Sequence, residues 1–275
     1  TGAAGRELNR RFGRTADTRA VTPFRTANYN AFQAHAERRF ANGFQFTAAY
    51  TFSKAIAYND NSDAALDFNW PGAFDRNRAL TGYDRPHNFQ TSAIVELPFG
   101  KNRKLAHDGW KARILGGWQL NAIFSSYSGT PFSVTSSNAS LNAPGNNQTA
   151  DQVLQEVRIL GGVGRGSSYF DPNAFVPVTA VRYGNTGRNI LRGPGLVNLD
   201  AGLFRTFSLT ERVKLQFRAE AFNFTNTPHF NNPGASVSGA TRNPDGSIRS
   251  LGGFSEITSA LADERQFRLS MRVTF

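Results

Sequence analysis

The 275-residue chain has no cysteine and only one methionine. Without thiols there is no disulfide framework, no thiolate metal site and no cysteine nucleophile. Long apolar runs are missing as well. Nowhere do about 18 apolar residues follow one another, so no transmembrane helix is expected. Mean hydropathy is −0.42. That value does not argue against a membrane, because a barrel strand turns only alternate residues towards lipid. Familiar catalytic spacings are lacking too. There is no Gly-x-Ser-x-Gly elbow. His35, His87, His107 and His229 fall on separate segments without ligand spacing. Gly162-Val163-Gly164-Arg165-Gly166 has the glycine density of a phosphate-cradling loop, but no Lys-Ser/Thr follows it. Asn59-Asp60-Asn61-Ser62-Asp63 begins like an EF-hand loop. Ala64 then stands where glycine is required and Trp70 where the closing glutamate belongs. The acidic loop keeps oxygen ligands enough for a looser calcium site. No catalytic residue, cofactor or defined metal site is assigned, and the chain is not read as an enzyme.

Acidic residues are outnumbered 20 to 31 by lysine and arginine, giving a net charge of +11. Such an excess suits nucleic acid or anionic lipid head groups. Zinc-finger spacing, an RNP-like signature and long basic runs are all absent. Arginines such as Arg268 and Arg272 are instead set singly between apolar residues. Nucleic acid is not expected as a partner.

What the sequence does contain is alternation. In the final stretch, Phe267, Leu269, Met271, Val273 and Phe275 alternate with Gln266, Arg268, Ser270, Arg272 and Thr274. Successive side chains of a strand point to opposite faces, so one face is apolar and the other polar. The length suits the roughly 9–11 residues with which a tilted strand crosses a bilayer. Six earlier segments share the pattern: Tyr29–Phe40, Phe44–Lys54, Asn88–Leu97, Trp118–Tyr127, Leu196–Phe207 and Val213–Phe224. Between the first two lies Asn42-Gly43, a strong hairpin signal because both residues tolerate positive φ. Residues 1–28 read as loop. Helical turns are expected near Trp110–Leu115 and over Asp151–Leu160, the latter capped by Asp151 and stopped by Gly161-Gly162.

The connections alternate in length. They are short after the first, third and fifth strands and long after the second, fourth and sixth. Outer-membrane barrels have short periplasmic turns and long extracellular loops. The stretches 55–87, 128–195 and 225–264 should therefore emerge together at one end. The expected fold is all-β: an antiparallel transmembrane β-barrel segment of about seven to eight strands with long extracellular loops. The sequence opens on Thr1 and the expected strand count is odd, whereas bacterial single-chain barrels have even counts. Both features suggest a piece of a longer protein.

Several motifs are similar to a known family. They include Leu97-Pro98-Phe99-Gly100-Lys101, Leu115-Gly116-Gly117-Trp118-Gln119-Leu120 and Ser128-Gly129-Thr130-Pro131-Phe132. Tyr183-Gly184-Asn185-Thr186-Gly187-Arg188-Asn189, Leu191-Arg192-Gly193-Pro194-Gly195 and Asn198-Leu199-Asp200 continue the series. Leu215 to Asn223 and Asn226-Thr227-Pro228-His229-Phe230 complete it. In this order they resemble the barrel of Oar-like TonB-dependent receptors from about Tyr29 to Phe275. The resemblance implies a 22-stranded outer-membrane barrel filled by an N-terminal plug that engages TonB. Residues 29–275 would be the C-terminal part of that barrel, with 1–28 a loop or the end of the preceding barrel region. The plug and the TonB-contacting segment would lie outside this chain.

On that reading Phe46, Leu203, Phe217 and Val273 face outer-membrane lipid. Arg218, Arg268 and Arg272 line the lumen, paired with carboxylates such as Glu220. Phe267, Leu269, Met271, Val273 and Phe275 form the closing strand that the barrel assembly machinery reads. Phe68, Trp70, Phe74 and Tyr83 sit among Asp, Asn and Arg in the first long loop. Aromatic faces beside hydrogen-bonding groups suit a glycan or a peptide, which makes these four the candidate ligand-contacting residues. The competing reading is that they anchor the loop to itself. The implied function is energy-coupled uptake of a large or scarce substrate across the outer membrane. A structural or adhesive barrel that binds partners through its loops is the first alternative, and a soluble secreted β-rich enzyme the second.

Overall fold

The computed structural model describes residues 3–16, 25–60, 66–101, 103, 105–106, 108–141, 143, 145–261 and 264–275. Seven long strands form one antiparallel sheet: β1 Asn28–Ala41, β2 Phe44–Ala57, β3 His87–Glu96, β4 Trp118–Tyr127, β5 Leu196–Ser208, β6 Lys214–Phe222 and β7 Gln266–Thr274. They are hydrogen-bonded in chain order from β1 to β7, and the two-residue strand Ala79–Leu80 adds to the end of β2. Each strand lies within three residues of its expected bounds. Residues 1–28 are not all loop, however. A short helix, α1, spans Glu7–Phe12 and ends at Gly13 in the left-handed region. Glu7 pairs with Arg10 and Arg11 one turn on, an i,i+3 and i,i+4 arrangement that supports a helix the hydrophobic pattern does not reveal. The expected turn near Trp110 is the helix α2, Gly109–Leu115.

Register turns the alternation of single strands into two continuous faces. Phe44, Val95, Leu120, Leu203, Ala219 and Leu269 stand directly opposite one another from β2 to β7. One step along, Arg38, Phe46, Ala93, Ala122, Ala201, Ala221 and Phe267 cross all seven strands. Directly opposed residues share a face, so these rows form a single surface, apolar apart from Arg38 on the edge strand β1. The intervening row is Gln45, Ile94, Asn121, Gly202, Glu220 and Arg268, on the other face. A one-residue slip in any pairing would exchange the faces of that strand. In β1 a bulge shifts the register between Arg38 and Ala41, which takes Phe40 out of the expected alternation.

Asn42 and Gly43 both adopt positive φ, 56° and 78°, as the tight hairpin between β1 and β2 requires. The connections 58–86, 128–195 and 223–265 all leave and re-enter the sheet at one end, as the pairings of Ile56 with Leu80, Asn88 with Tyr127, Leu196 with Tyr127 and Phe222 with Gln266 dictate. The connections 42–43, 97–117 and 209–213 lie at the other end. There α2 is tied down by Trp118, whose indole N–H donates to the Ile114 carbonyl at 3.0 Å, and by Arg205, which donates to the carbonyls of Arg113 and Ile114.

The three long connections pack on one another, and the buried apolar core of the protein lies within them rather than on the sheet. Phe132, Val134, Ala150, Phe170, Ala174, Phe175, Val237 and Phe254 form that core. The two faces of β1 and β7, by contrast, are almost wholly exposed. The helix expected over Asp151–Leu160 is not formed. Asp151–Gln152 pairs as a strand with Phe175–Val176, and Ile159 bridges Phe170. The carboxylate of Asp151 is taken by Arg182 at 2.6 Å and by the Asn185 N–H at 2.9 Å, so it does not cap a helix.

Candidate functional site

The cap formed by the three long connections is held by aromatic packing and by arginine. Phe170 is its hub: its ring lies 5.2 Å from Phe254, 5.8 Å from Phe175 and 5.9 Å from Phe132. The Phe254 and Phe175 contacts are edge-on, the arrangement that the ring quadrupoles favour. Around this core, loop carbonyls without a sheet partner are satisfied by guanidinium groups. Arg188, almost fully buried, donates to the Tyr58 carbonyl at 2.7 Å and to Asp60 at 3.0 Å. Arg192 donates to the carbonyls of Asp84 and Gly129 and to the buried Asp84 carboxylate at 2.7 Å. Asp84 in turn accepts the Ala55 N–H at the end of β2. Arg242 donates to Phe175 and Pro172. Each clasp joins segments far apart in sequence and provides the charged donor that a buried carbonyl needs away from water.

The two motifs Ser128-Gly129-Thr130 and Gly193-Pro194-Gly195 meet at the root of the cap. A Cβ on Gly129 would sit 1.9 Å from the Gly193 carbonyl oxygen, so only glycine permits the crossing.

The four candidate contact residues of the first loop separate. Phe68 is fully buried: its backbone N–H and carbonyl are both bonded to the Asn77 side-chain amide at 3.0 Å. Tyr183 stands edge-on to its ring at 5.2 Å, and the Arg76 guanidinium lies 4.3 Å above it. Arg76 reaches on to the carbonyls of Gly184 at 2.6 Å and Thr186 at 2.8 Å, and burial lowers its pKa. Burial also raises the Tyr183 phenol, and the charge of Arg76 opposes that rise. Phe68 therefore packs the loop against the second connection. Phe74 is half-buried beneath Arg25. Trp70 and Tyr83 remain largely exposed, at 64% and 61%. Arg76, Asn77 and Tyr183 belong to the same cluster, and sequence alone does not signal it, because the contacts of Arg76 and Tyr183 that complete it span about a hundred residues.

The glycine-dense segment is already filled by the protein itself. Gly166 N–H donates to the Glu256 carboxylate at 2.6 Å, and Gly162 and Gly164 donate to the carbonyls of Ser168 and Ile257. In the acidic loop Asp60 is engaged by Arg188 and by the Gly82 N–H. Asn61, Ser62 and Asp63 lie outside the described residues, as does His107. Among the described residues no group of three or more His, Cys, Asp or Glu is placed to hold a metal ion. His87 bonds Tyr50 at 2.8 Å, and His229 bonds the Val197 carbonyl at 2.9 Å.

On the polar face the arginines do not pair with Glu220 as expected. Among the described residues no ion pair joins Glu220 to Arg218 or Arg268. Arg218 donates to Gln216 at 2.9 Å and lies 5.1 Å from the Phe204 ring centroid; Arg268 lies 5.2 Å from that of Phe222. Stacking on a neighbouring ring keeps the guanidinium edge hydrated, which a desolvated ion pair would not.

An open cavity of about 420 Å³ lies where this polar face meets the third long connection. Its strand wall includes Asn198, Asp200, Gln266 and Arg268, and its loop wall Asn223, His229 and Glu264. The cavity exists because β6 stops at Phe222. Asn223 enters the left-handed region at φ 48°, and its N–H turns to the Asp200 carboxylate at 2.8 Å. Asn198 donates to the same carboxylate at 2.9 Å.

A family model described as an outer membrane beta barrel domain matches residues 1–268. No curated protein and no solved structure matches the chain.

Proposed function

The chain belongs to the outer membrane β-barrel domain family, and from that footing we propose that it serves as barrel wall and extracellular cap of a TonB-dependent receptor. The protein resides in the bacterial outer membrane, and its apolar sheet face meets lipid. Water is absent there, so backbone polar groups must be bonded strand to strand, and the outer edges of β1 and β7, which pair with no strand among the described residues, need strands from the rest of the barrel. The proposed activity is energy-coupled uptake of a large or scarce substrate. The observation that carries it is the joining of three long connections into one packed cap at one end of a sheet whose other face is polar. A cap with its own core holds a recognition surface in place over a polar passage. Resemblance of the Leu97–Lys101, Leu115–Leu120 and Tyr183–Asn189 motifs to Oar-like receptors supports the same reading.

In this proposal the chain carries out no catalytic step. TonB is contacted by parts of the receptor outside it. The barrel assembly machinery reads the β7 residues Phe267, Leu269, Met271 and Val273 together with Phe275. Trp70 and Tyr83, exposed on the cap, are the first-loop side chains left available to an arriving ligand. The test is accumulation of substrate by cells bearing the full-length protein, with and without TonB. Accumulation that disappears without TonB supports uptake. Surface binding with no accumulation in either strain supports the adhesive barrel instead, a reading that the rigid cap also suits.

A further inference from the structure

We propose that the cavity between the polar face of β4–β7 and the third long connection is a binding site for a neutral saccharide. The inference deepens the uptake reading and rests on it only for the claim that the polar face lines the passage. The cavity lies at the cap end of the strands, bounded by Tyr127, Leu196, Phe222 and Gln266 at or beside their termini. A substrate entering from the cap would meet it first. Its volume of about 420 Å³ falls in the range of small-molecule sites, roughly 300–1,000 Å³.

The chemistry of the wall selects the ligand. Asp200 and Glu264 only accept hydrogen bonds, Arg268 only donates, and Gln266 does both. A hydroxyl group donates and accepts at once, so a polyhydroxylated ring can satisfy all of them. An anionic ligand would place its charge beside two carboxylates against a single guanidinium. An apolar ligand would strand the polar wall, at the cost of burying unbonded groups. The rings of Tyr127 and Phe222 supply flat surface for the C–H faces of a sugar.

Two observations show that the wall is built: Asn198 and Asp200 are fixed to one another behind it, and its loop side is locked. The Asp200 carboxylate can only accept, so Asn198 must turn its amide nitrogen to it. The other end of that amide, Oδ1, is thereby left buried with no partner. Such a group is rare in folded proteins. The loop wall is also fixed. His229 is buried and bonded to the Val197 carbonyl, and Asn223 is locked by two bonds to the Thr227 backbone. The site is held open rather than collapsed.

The test is equilibrium binding to outer membranes carrying the full-length protein. The probes are maltotriose, cellotriose and xylotriose, with trialanine and a sulfated disaccharide as charged comparators. Saturable binding of at least one neutral trisaccharide is expected. Gln266→Ala should weaken it about tenfold, the loss of one well-placed hydrogen bond, and Asn198→Ala should weaken it by releasing the Asp200 carboxylate, while Gln45→Ala on the same face far from the cavity should not. Gln266 is exposed, so its variant keeps the fold even if Asn198→Ala does not. No saturable binding of any neutral trisaccharide, tighter binding of either comparator, or an unchanged affinity in Gln266→Ala would overturn the proposal. Saccharide binding without TonB-dependent accumulation would sink the uptake reading alone. TonB-dependent accumulation without saccharide binding would sink this inference alone.

Discussion

Replacing Phe254 by alanine should open the cap while leaving the sheet in place. Phe254 is 1% exposed and touches Phe170 and Phe175 edge-on, with ring centroids 5.2 and 6.4 Å away. Truncating a buried phenylalanine costs about 3–5 kcal/mol, part from lost transfer energy and part from the cavity left behind. Collapse around the gap is limited here, because Phe170 is also held by Phe132 and by hydrogen bonds of its backbone to Ser255. The upper half of the range is therefore expected. Local opening of the cap need not involve the strands, whose ladders are separate from its core. Every 1.4 kcal/mol is tenfold, so the open fraction of the cap should rise by between roughly seven hundredfold and about four thousandfold. Proteolysis of the cap on intact cells reads that fraction when closing is faster than cleavage. Heat-modifiable gel mobility reads the sheet independently. Val181→Ala, at a side chain 80% exposed on the same cap, is the control. A Phe254→Ala cap cleaved within tenfold of the unaltered rate would refute the claim that the long connections share one core. Loss of gel mobility at the same time would refute its independence from the sheet.

Leu203→Arg should cost roughly 2–4 kcal/mol in a membrane-refolding titration, because a charge near the bilayer midplane cannot be hydrated. Gln216→Arg, on the polar face, should cost about 1 kcal/mol or less, from loss of the acceptor for Arg218 and repulsion from Arg272 directly opposite. Arg192→Met should loosen the junction of cap and sheet by about 1–3 kcal/mol, since it strips a donor from the buried Asp84 carboxylate; hydrogen exchange at Ala55 would report it. The hydrogen bond from Arg182 holds the Asp151 carboxyl below its usual range, against the opposing effect of burial. A depressed value stabilises the fold above the ordinary carboxylate pKa of about 3.9 and is lost as pH falls through the folded value. Protection of residues 151–185 from hydrogen exchange should thus be constant from neutral pH to about 5 and fall below about 4, and Arg182→Gln should weaken that dependence, leaving the part owed to the Asn185 N–H.

How far these features can be read from the sequence depends on how local their cause is. Each strand is written in a single run, such as Phe267 to Val273, so its existence, face and approximate bounds are legible. The side of each connection is legible as well, because length alone decides it. The cap core is not. Phe132, Phe170, Phe175 and Phe254 lie in glycine- and proline-rich stretches with no period, and the ladders that bring them together are only two residues wide. Asp151 illustrates the ambiguity of a single polar residue. A cap for a helix and a partner for Arg182 look identical until residue 182 is known to be near. The arginines of the polar face mislead in the same way. Glu220 stands directly opposite Arg268, yet the guanidinium lies against Phe222 on the neighbouring strand. Of the aromatic residues in the first loop, Phe68 and Trp70 are two positions apart, but one is buried and the other exposed. The contacts of Phe68 with Asn77, Arg76 and Tyr183 separate them. The cavity is invisible in sequence because its wall is assembled from residues of four strands and a turn at Asn223.

The central claim is that one face of this sheet meets lipid and the other does not. The chain contains no cysteine, so a single engineered thiol in it is a unique reporter within the sheet. Cysteine placed in turn at residues 267 to 273 of β7 and 215 to 221 of β6, each carrying a nitroxide, can be probed for collision with oxygen in the lipid and with a water-soluble nickel chelate. The account predicts a strict period of two. Oxygen should dominate at 267, 269, 271 and 273 and at 215, 217, 219 and 221, and the nickel chelate at the positions between. Equal access to both reagents along either strand, or the opposite phase, would contradict it.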